Sequence, residues 1–301
     1  MSGEQGATGA GPARPSLSLV GVGLMLAAIA CNTLEVTFVH ALGPGWPAPL
    51  QLFWRQGVGL LLIAPFVLRD PRGILTVSRP GILLFRSMAA MSALLLTIYA
   101  FSHLPMATAN ALTFTRPLWI VLLAALFLGE RVGVWRGGAV LFGFAGVLVM
   151  LNPGAAHDNW LAEGAILLAS LLFAASFVSI KSMTGDNRTT TIVVYGMMFG
   201  LVLSAIPAFM QWRTPSLQQG LLLASLGFTS LGGFAFFAKA LHMADAIVLG
   251  SLDYLRLPLI IAIGIWLFGE SPTGALLLGS MMIVASTVTV TVRERMGKQT
   301  G

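Results

Sequence analysis

Residues 113–130 read TFTRPLWIVLLAALFLGE, and residues 253–270 read DYLRLPLIIAIGIWLFGE. Each belongs to an apolar run of the length that crosses a bilayer, about 20 residues. Each also carries one arginine, Arg116 or Arg256, at the same place. A shift of 140 residues superimposes the two stretches. Arg116 then meets Arg256, Ile120 meets Ile260, and Gly129-Glu130 meets Gly269-Glu270. The match runs upstream, with YAFSHLPMATAN (99–110) over KALHMADAIVLG (239–250). In a chain so poor in charge, a matched arginine and a matched Gly-Glu mark an internal duplication.

Composition names the solvent. Of 301 residues 56% are hydrophobic and 9% charged, where a soluble domain carries about a quarter charged residues. So few charges do not cover a water-facing surface of this size, which makes the chain an integral membrane protein with the lipid bilayer as its main partner. The net charge of +6 does not indicate nucleic acid, because the basic residues stand singly between apolar segments rather than in a patch. The single cysteine, Cys31, excludes a disulfide framework and a thiolate metal site. The first fifteen residues, MSGEQGATGAGPARP, have the composition of a disordered tail. The apolar run after them is too long for a signal-peptide core and reads as a first membrane helix.

Polar and Pro/Gly breaks divide the chain into ten spans, at about 17–38, 48–68, 80–101, 107–128, 134–152, 161–182, 190–211, 218–241, 246–268 and 271–292. With the N-terminus inside, twelve basic residues fall in inside segments, and Arg213 alone falls outside. Basic residues favour the cytoplasmic side, so both termini are expected there, in a bacterial inner (plasma) membrane. The duplication divides the chain into a tail (1–15), a first five-helix repeat (16–153), a second (160–293) and a short cytoplasmic tail (294–301). Five spans end on the side opposite their start, so the second half enters the membrane inverted. Inverted repeats are a recurring design of secondary transporters, which alternate access to a site near the midplane. The fold class is thus all-α, with ten transmembrane helices as two inverted five-helix repeats.

The stretch ATANALTFTRPLWIVLLAALFLGE (107–130), preceded by YAFSHLP (99–105), resembles the fourth helix of EamA-type members of the drug/metabolite transporter superfamily. The small-residue helix GGAVLFGFAGVLVMLNP (137–153) and the repeated Gly-Glu endings strengthen the likeness, which spans nearly all the chain after residue 15. It implies a central cavity lined by helices 1, 3, 4, 6, 8 and 9, with helices 5 and 10 at a homodimer interface. Within the family, RSMAAMSALLLTIYAFSHLPMATANALTFTRPLW (86–119) is similar to carriers of the S-adenosylmethionine-uptake kind. The usual aromatic near the end of helix 1 is replaced by Cys31-Asn32-Thr33-Leu34-Glu35, which sets an acid there.

Charges inside the spans are the candidate site. An arginine at a helix centre costs about 2.5–3.5 kcal/mol on insertion scales and must face a wet cavity or a partner. Arg116 reads as a clamp for a substrate carboxylate or phosphate, which its planar fork suits, against a structural pair that locks helices. Arg256 has Asp253 three residues before it on one helix face. Asp253 is also a candidate proton carrier, whereas its counterpart Thr113 does not titrate. Arg86 lies near the start of helix 3, where its stem reaches the surface. Arg55 reads as a lateral structural or gating contact on helix 2. Glu35 could pair with Arg55 or Arg116, receive a substrate amine, or carry a proton. Four cations against two acids leave an excess that favours a ligand bearing an anionic group, with a zwitterion fitting best. Tyr99, Asn110, Phe114, Trp119 and Tyr254 share helices with the arginines and are softer substrate-binding candidates, since aromatics at such spacing usually pack.

The Gly-Glu pairs read as helix ends rather than ligands. The small residues of helix 5 (Gly137, Gly138, Gly143, Gly146) and helix 10 (Gly279, Ser280, Ala285) permit close helix contact, between the halves or in a dimer. There is no HExxH, no GxSxG and no acidic metal cluster, and the histidines stand apart. No enzyme, metal or cofactor is indicated. What remains is a carrier of a small polar metabolite, or an exporter of amphipathic drugs or lipids on the same fold.

Overall fold

Lipid offers no hydrogen bonds, so apolar runs in a bilayer must satisfy their backbone internally and coil into helices. The computed structural model describes residues 19–128, 134–151, 159–181, 189–243, 252–253 and 255–299. In order these form α1 (Leu19–Leu42), α2 (Ala48–Arg69), α3 (Pro71–Leu75), α4 (Pro80–His103), α5 (Met106–Thr113), α6 (Arg116–Leu128), α7 (Val134–Leu151), α8 (Trp160–Lys181), α9 (Thr189–Met210), α10 (Leu217–Met243), α11 (Arg256–Phe268) and α12 (Gly274–Gln299). Residues 1–15, Gly129-Glu130 and Tyr254 lie outside the described residues.

Among the described residues seven helices are long and apolar enough to cross a membrane, and Gly137–Leu151, Arg256–Phe268 and Gly274–Thr289 are apolar but shorter. Their outward faces are greasy, with Trp266 85% and Leu126 76% exposed. Such faces suit lipid rather than water. The chain is a multi-pass integral membrane protein.

The halves interleave. α1 packs along α10 and α4 along α8, while α2 packs on α9, α7 on α12 and α5 on α11. Exchanging the halves maps the α1–α10, α4–α8, α2–α9 and α7–α12 pairs onto one another, since α1 and α10 trade places with α8 and α4. At α7–α12 the contact is backbone to backbone. A Cβ on Gly279 would stand 2.5 Å from the Gly146 carbonyl oxygen, and one on Gly146 would stand 2.9 Å from that of Gly279. These glycines join the two halves within one chain, so a dimer would have to use other residues.

The expected span over 107–128 is present as one run of membrane-crossing length, Met106–Phe127, but its helix is interrupted midway. Pro117 has no N–H for the carbonyl of Thr113, and its ring crowds that carbonyl. α5 accordingly stops at Thr113, Phe114 and Thr115 tighten into bonds to Ala111 and Leu112 three residues back, and α6 starts at Arg116. The second half repeats the device. Residues 252–253 are helical, Leu255 lies in a turn, and α11 starts at Arg256 with Pro258 two residues on. Both arginines are therefore the first residues of helices restarted inside the bundle. α3, unforeseen from hydropathy, is a surface turn whose Gly73 amide donates to Asp70 at 3.0 Å.

A candidate substrate site in two chambers

Restarting α6 and α11 at arginines sets two cations at the heads of helices, where the dipole adds positive potential. Around them lies a deep chamber of about 170 Å3, lined by Asn110, Thr113 and Arg116 of the first half and by Phe173 and Arg256 of the second, with Thr97, Phe101 and residues of α1 completing it. The Arg116 guanidinium stands 4.2 Å from the Phe173 ring centre, and that of Arg256 stands 5.2 Å from Phe114. Each ring offers its negative face to the cation. Among the described residues neither arginine has a salt-bridge partner, and Nε of Arg116, Nε of Arg256 and the Asn110 amide nitrogen are buried without a hydrogen-bond partner. Asn110 itself is 1% exposed. Buried donors are nearly always satisfied in folded proteins, and the three residues that carry these unmade donors all line one cavity, which suits an anionic ligand.

A wider chamber of about 320 Å3 opens toward the end of the bundle where α4 and α9 begin and α10 ends. Arg86, Ser87, Gln56 and Met91 line it on one side, and Ser230, Phe234 and Phe237 of α10 on the other. Ligand sites are typically about 300–1,000 Å3 and mostly apolar with a few polar groups, a description the two chambers meet together. Asn32, Glu35 and Arg55 line both. Arg55 Nε donates to Glu35 Oε1 at 2.7 Å, and the two side chains are only 14% and 15% exposed. This ion pair stands where the two chambers meet.

The far end is closed by a second acid. Gly269, in the left-handed region at φ 65°, ends α11, and the Glu270 amide bonds back to the Gly264 carbonyl at 2.9 Å. That loop motif is a regular helix stop. The Glu270 carboxylate accepts from the Met106 amide at 2.7 Å, at the head of α5, and lies 3.3 Å from His40 Nε2. His40 Nδ1 in turn bonds to the Phe101 carbonyl oxygen at 2.8 Å. One side chain so ties α1, α5 and the α11–α12 loop. Burial pushes the Glu270 carboxyl up, but the bonds from His40 and the Met106 and Ala107 amides outweigh it and hold the carboxyl below its ordinary value. A depressed carboxyl stabilises the fold above the unfolded value of about 4.3, and the gain is lost as pH falls through the lower folded value. The melting temperature of the purified protein should therefore fall more steeply below about pH 4.3 than that of Glu270→Gln. Identical pH profiles would remove Glu270 as the tie.

Several sequence expectations shift with this geometry. Arg116, Arg256, Asn110 and Glu35 converge on the deep chamber, and Phe114 lies buried beneath Arg256. Asp253, expected as the partner of Arg256, is half-buried and lines neither chamber, and no ion pair between the two is seen among the described residues. Arg55, expected at a lateral position, lines both chambers: α2 is wedged between α9 and α10, which turns Arg55 onto Glu35. Arg86, expected to reach the surface, lines the wide chamber instead. Trp119 packs on Phe144 of α7, ring centres 4.8 Å apart. Tyr99 lies over His103 at 4.2 Å near the closed end. Neither lines a chamber, since each sits on a helix face turned to its neighbour. Phe173, Phe234 and Phe237 were not foreseen, because none of the intramembrane charges singled out in the sequence stands on their helices and nothing in their spacing sets them apart from packing aromatics.

Comparison with known proteins agrees with this architecture. Residues 19–152 and 160–292 each match the EamA-like transporter family. The chain is 33% identical to a riboflavin transporter of Rhizobium johnstonii, over 93% of each chain. It is 29% identical to a pseudopaline exporter of Pseudomonas aeruginosa, over 90% of this chain and 96% of that one. It is 26% identical to an S-adenosylmethionine uptake transporter of Rickettsia bellii, over 92% and 94%. A solved structure shares the fold, with a TM-score of 0.61 at 20% identity, covering 91% of this chain and 96% of that chain. The chain belongs to the EamA-like transporter family, as a transporter rather than an enzyme.

Proposed function

We propose that the protein is a secondary transporter of ten membrane-spanning helices in two inverted repeats, residues 16–153 and 160–293. It moves a small organic metabolite bearing an anionic group, and best a zwitterion, across a bacterial inner membrane. The observation that carries this is the deep chamber, where the buried nitrogens of Arg116, Arg256 and Asn110 have no partner. Arg116 and Arg256 hold the carboxylate or phosphate, Asn110 adds a neutral donor, and Glu35 is placed to receive an amine. The two family matches and the exchange-symmetric pairing of helices support the repeat. With both termini cytoplasmic, the wide chamber opens inward and the His40–Glu270 tie closes the outside. Its partners are then a small molecule and lipid, with neither a cofactor nor nucleic acid.

One observation favours a second reading. The relative named for riboflavin is 33% identical, and Phe173, Phe234 and Phe237 line the chambers, which suits a flat, largely uncharged ring. Thermal-shift screening separates the two, because a ligand that binds only the folded state raises its stability by about 2.7 kcal/mol at a hundred times Kd. Amino acids, S-adenosylmethionine and riboflavin are added to the purified protein. A rise with a carboxylate-bearing zwitterion supports the anion site, whereas a rise with riboflavin alone overturns it. An exporter of amphipathic drugs or lipids would respond to neither charge nor carboxylate.

A further inference from the structure

Arg86 has no place in the central site, yet it is built like a member of one. Its Nε is buried without a hydrogen-bond partner, and so is the hydroxyl of Ser87 beside it, a residue 0% exposed. Both line the wide chamber. Among the described residues no acid lines that chamber except Glu35, which Arg55 already holds at 2.7 Å. The wide chamber is thus lined by a guanidinium with no free acid beside it among the described residues, and by Ser87 and Gln56, whose hydroxyl and Oε1 are buried in its wall without a partner. The apolar remainder includes Ala90, Met91, Met197, Phe234 and Phe237. Among the described residues, Asn32 and the Glu35–Arg55 pair line both this chamber and the deep one.

We propose that an anion-bearing organic ligand binds at two stations in series, first at Arg86 and Ser87 in the wide chamber and then at Arg116 and Arg256 in the deep one, with the Glu35–Arg55 pair as the divider that it opens. This rests on the anion-binding assignment of the deep chamber above. The chemistry of the divider follows from its charges. A buried ion pair is costly to break because each partner is left exposed to a poor solvent. An arriving anion offers Arg55 a replacement for Glu35, and a ligand amine offers Glu35 a replacement for Arg55. A zwitterion supplies both at once, so it exchanges with the pair without leaving a bare charge. A neutral solute supplies neither and meets a closed wall. Arg86 then acts as a collector, raising the local concentration of anions at the mouth, as a charged cleft with low-dielectric walls does.

The test needs no knowledge of the substrate. In full-length protein carrying Cys31→Ala, single cysteines are placed in the wide chamber (Ala90→Cys) and in the deep chamber (Thr113→Cys). Their rates of reaction with an anionic and a cationic methanethiosulfonate are then measured. The wide-chamber cysteine is expected to react about ten-fold faster with the anionic reagent. Arg86→Gln should abolish that preference, Arg86→Lys should keep it, and Arg116→Gln should leave it unchanged. The deep cysteine should react slowly, and Glu35→Gln should speed its reaction with the anionic reagent about ten-fold by freeing Arg55. The charge-exchanged Glu35→Arg/Arg55→Glu chain should return it to the slow rate.

An unchanged preference in Arg86→Gln would overturn the outer station, and a deep-chamber rate insensitive to Glu35→Gln would overturn the divider. Loss of anion preference at the deep cysteine in Arg116→Gln tests the central site alone, so the failure of one is distinguishable from failure of the other. Fast reaction of the deep cysteine in every chain would mean one open cavity, against the proposal.

Discussion

Arg116→Ala is expected to lower the affinity for an anion-bearing substrate by about 30-fold or more while leaving the empty protein nearly as stable as the parent. Truncating one partner of a buried charge pair costs about 2–5 kcal/mol, and about 1.4 kcal/mol is a factor of ten. Stability should move far less. Without ligand, Arg116 has its cation–π contact with Phe173, worth about 0.5–2 kcal/mol. Against that stands repulsion from Arg256, only partly relieved by attraction to Asp253. Removing a cation from a site with surplus positive charge gives back most of what it takes away. Arg116→Lys keeps the charge but loses the fork that grips two oxygens, so it should lie between. Uptake into proteoliposomes and thermal melting on the same preparations read the two quantities separately. Unchanged transport in the alanine chain would remove Arg116 from the substrate path.

Gly279→Leu has the largest expected effect on the fold itself. The Cβ it adds would meet the Gly146 carbonyl oxygen at 2.5 Å, Met150 Cβ at 2.9 Å and the Met150 amide nitrogen at 3.1 Å. Two of those three neighbours are backbone, which no rotamer change moves, so α7 and α12 must separate. Overpacking costs typically about 1–3 kcal/mol and more where the backbone shifts. At the upper figure the melting temperature should fall about 6–12 °C. Gly138→Leu in the same helix pair is the control, because a Cβ there meets nothing within 4 Å, and its melting point should stay near the parent's. Equal effects from both would show that helix propensity, not the close contact, sets the loss.

The fold was legible because lipid makes charge rare. In a chain with 9% charged residues, Arg116 matched to Arg256 and Gly129-Glu130 matched to Gly269-Glu270 stand out against an apolar background. Hydropathy alone then locates the spans. The same logic marked Arg116, Arg256 and Glu35, since an intramembrane charge has few places to go. Direction was less legible than depth. Asp253 and Arg256 were assigned a common face by helical spacing, but Arg256 lines the deep chamber and Asp253 does not. Trp119 follows Arg116 closely in sequence yet packs on Phe144 of α7 and lines neither chamber. Phe173 carries no mark at all. Its position opposite Arg116 is fixed by how α8 packs on α4 and α6, a relation between distant segments that no local pattern records.

The interleaving of the halves has a consequence for how the protein is made. α1 leaves the ribosome about 200 residues ahead of α10, the helix it packs along. At about 5–20 residues per second, that is a wait of about 10–40 s in the bilayer with its contact face bare. Glu35 would be an isolated acid in hydrocarbon for that time. Arg55, only 20 residues on in the next helix, arrives within seconds and lets the α1–α2 hairpin cross the membrane as a neutral unit. The charges of the central site come later: Arg116 enters after the hairpin is complete, and Arg256 follows α10. The nascent chain therefore accumulates its positive charge only as the walls that enclose it are being delivered.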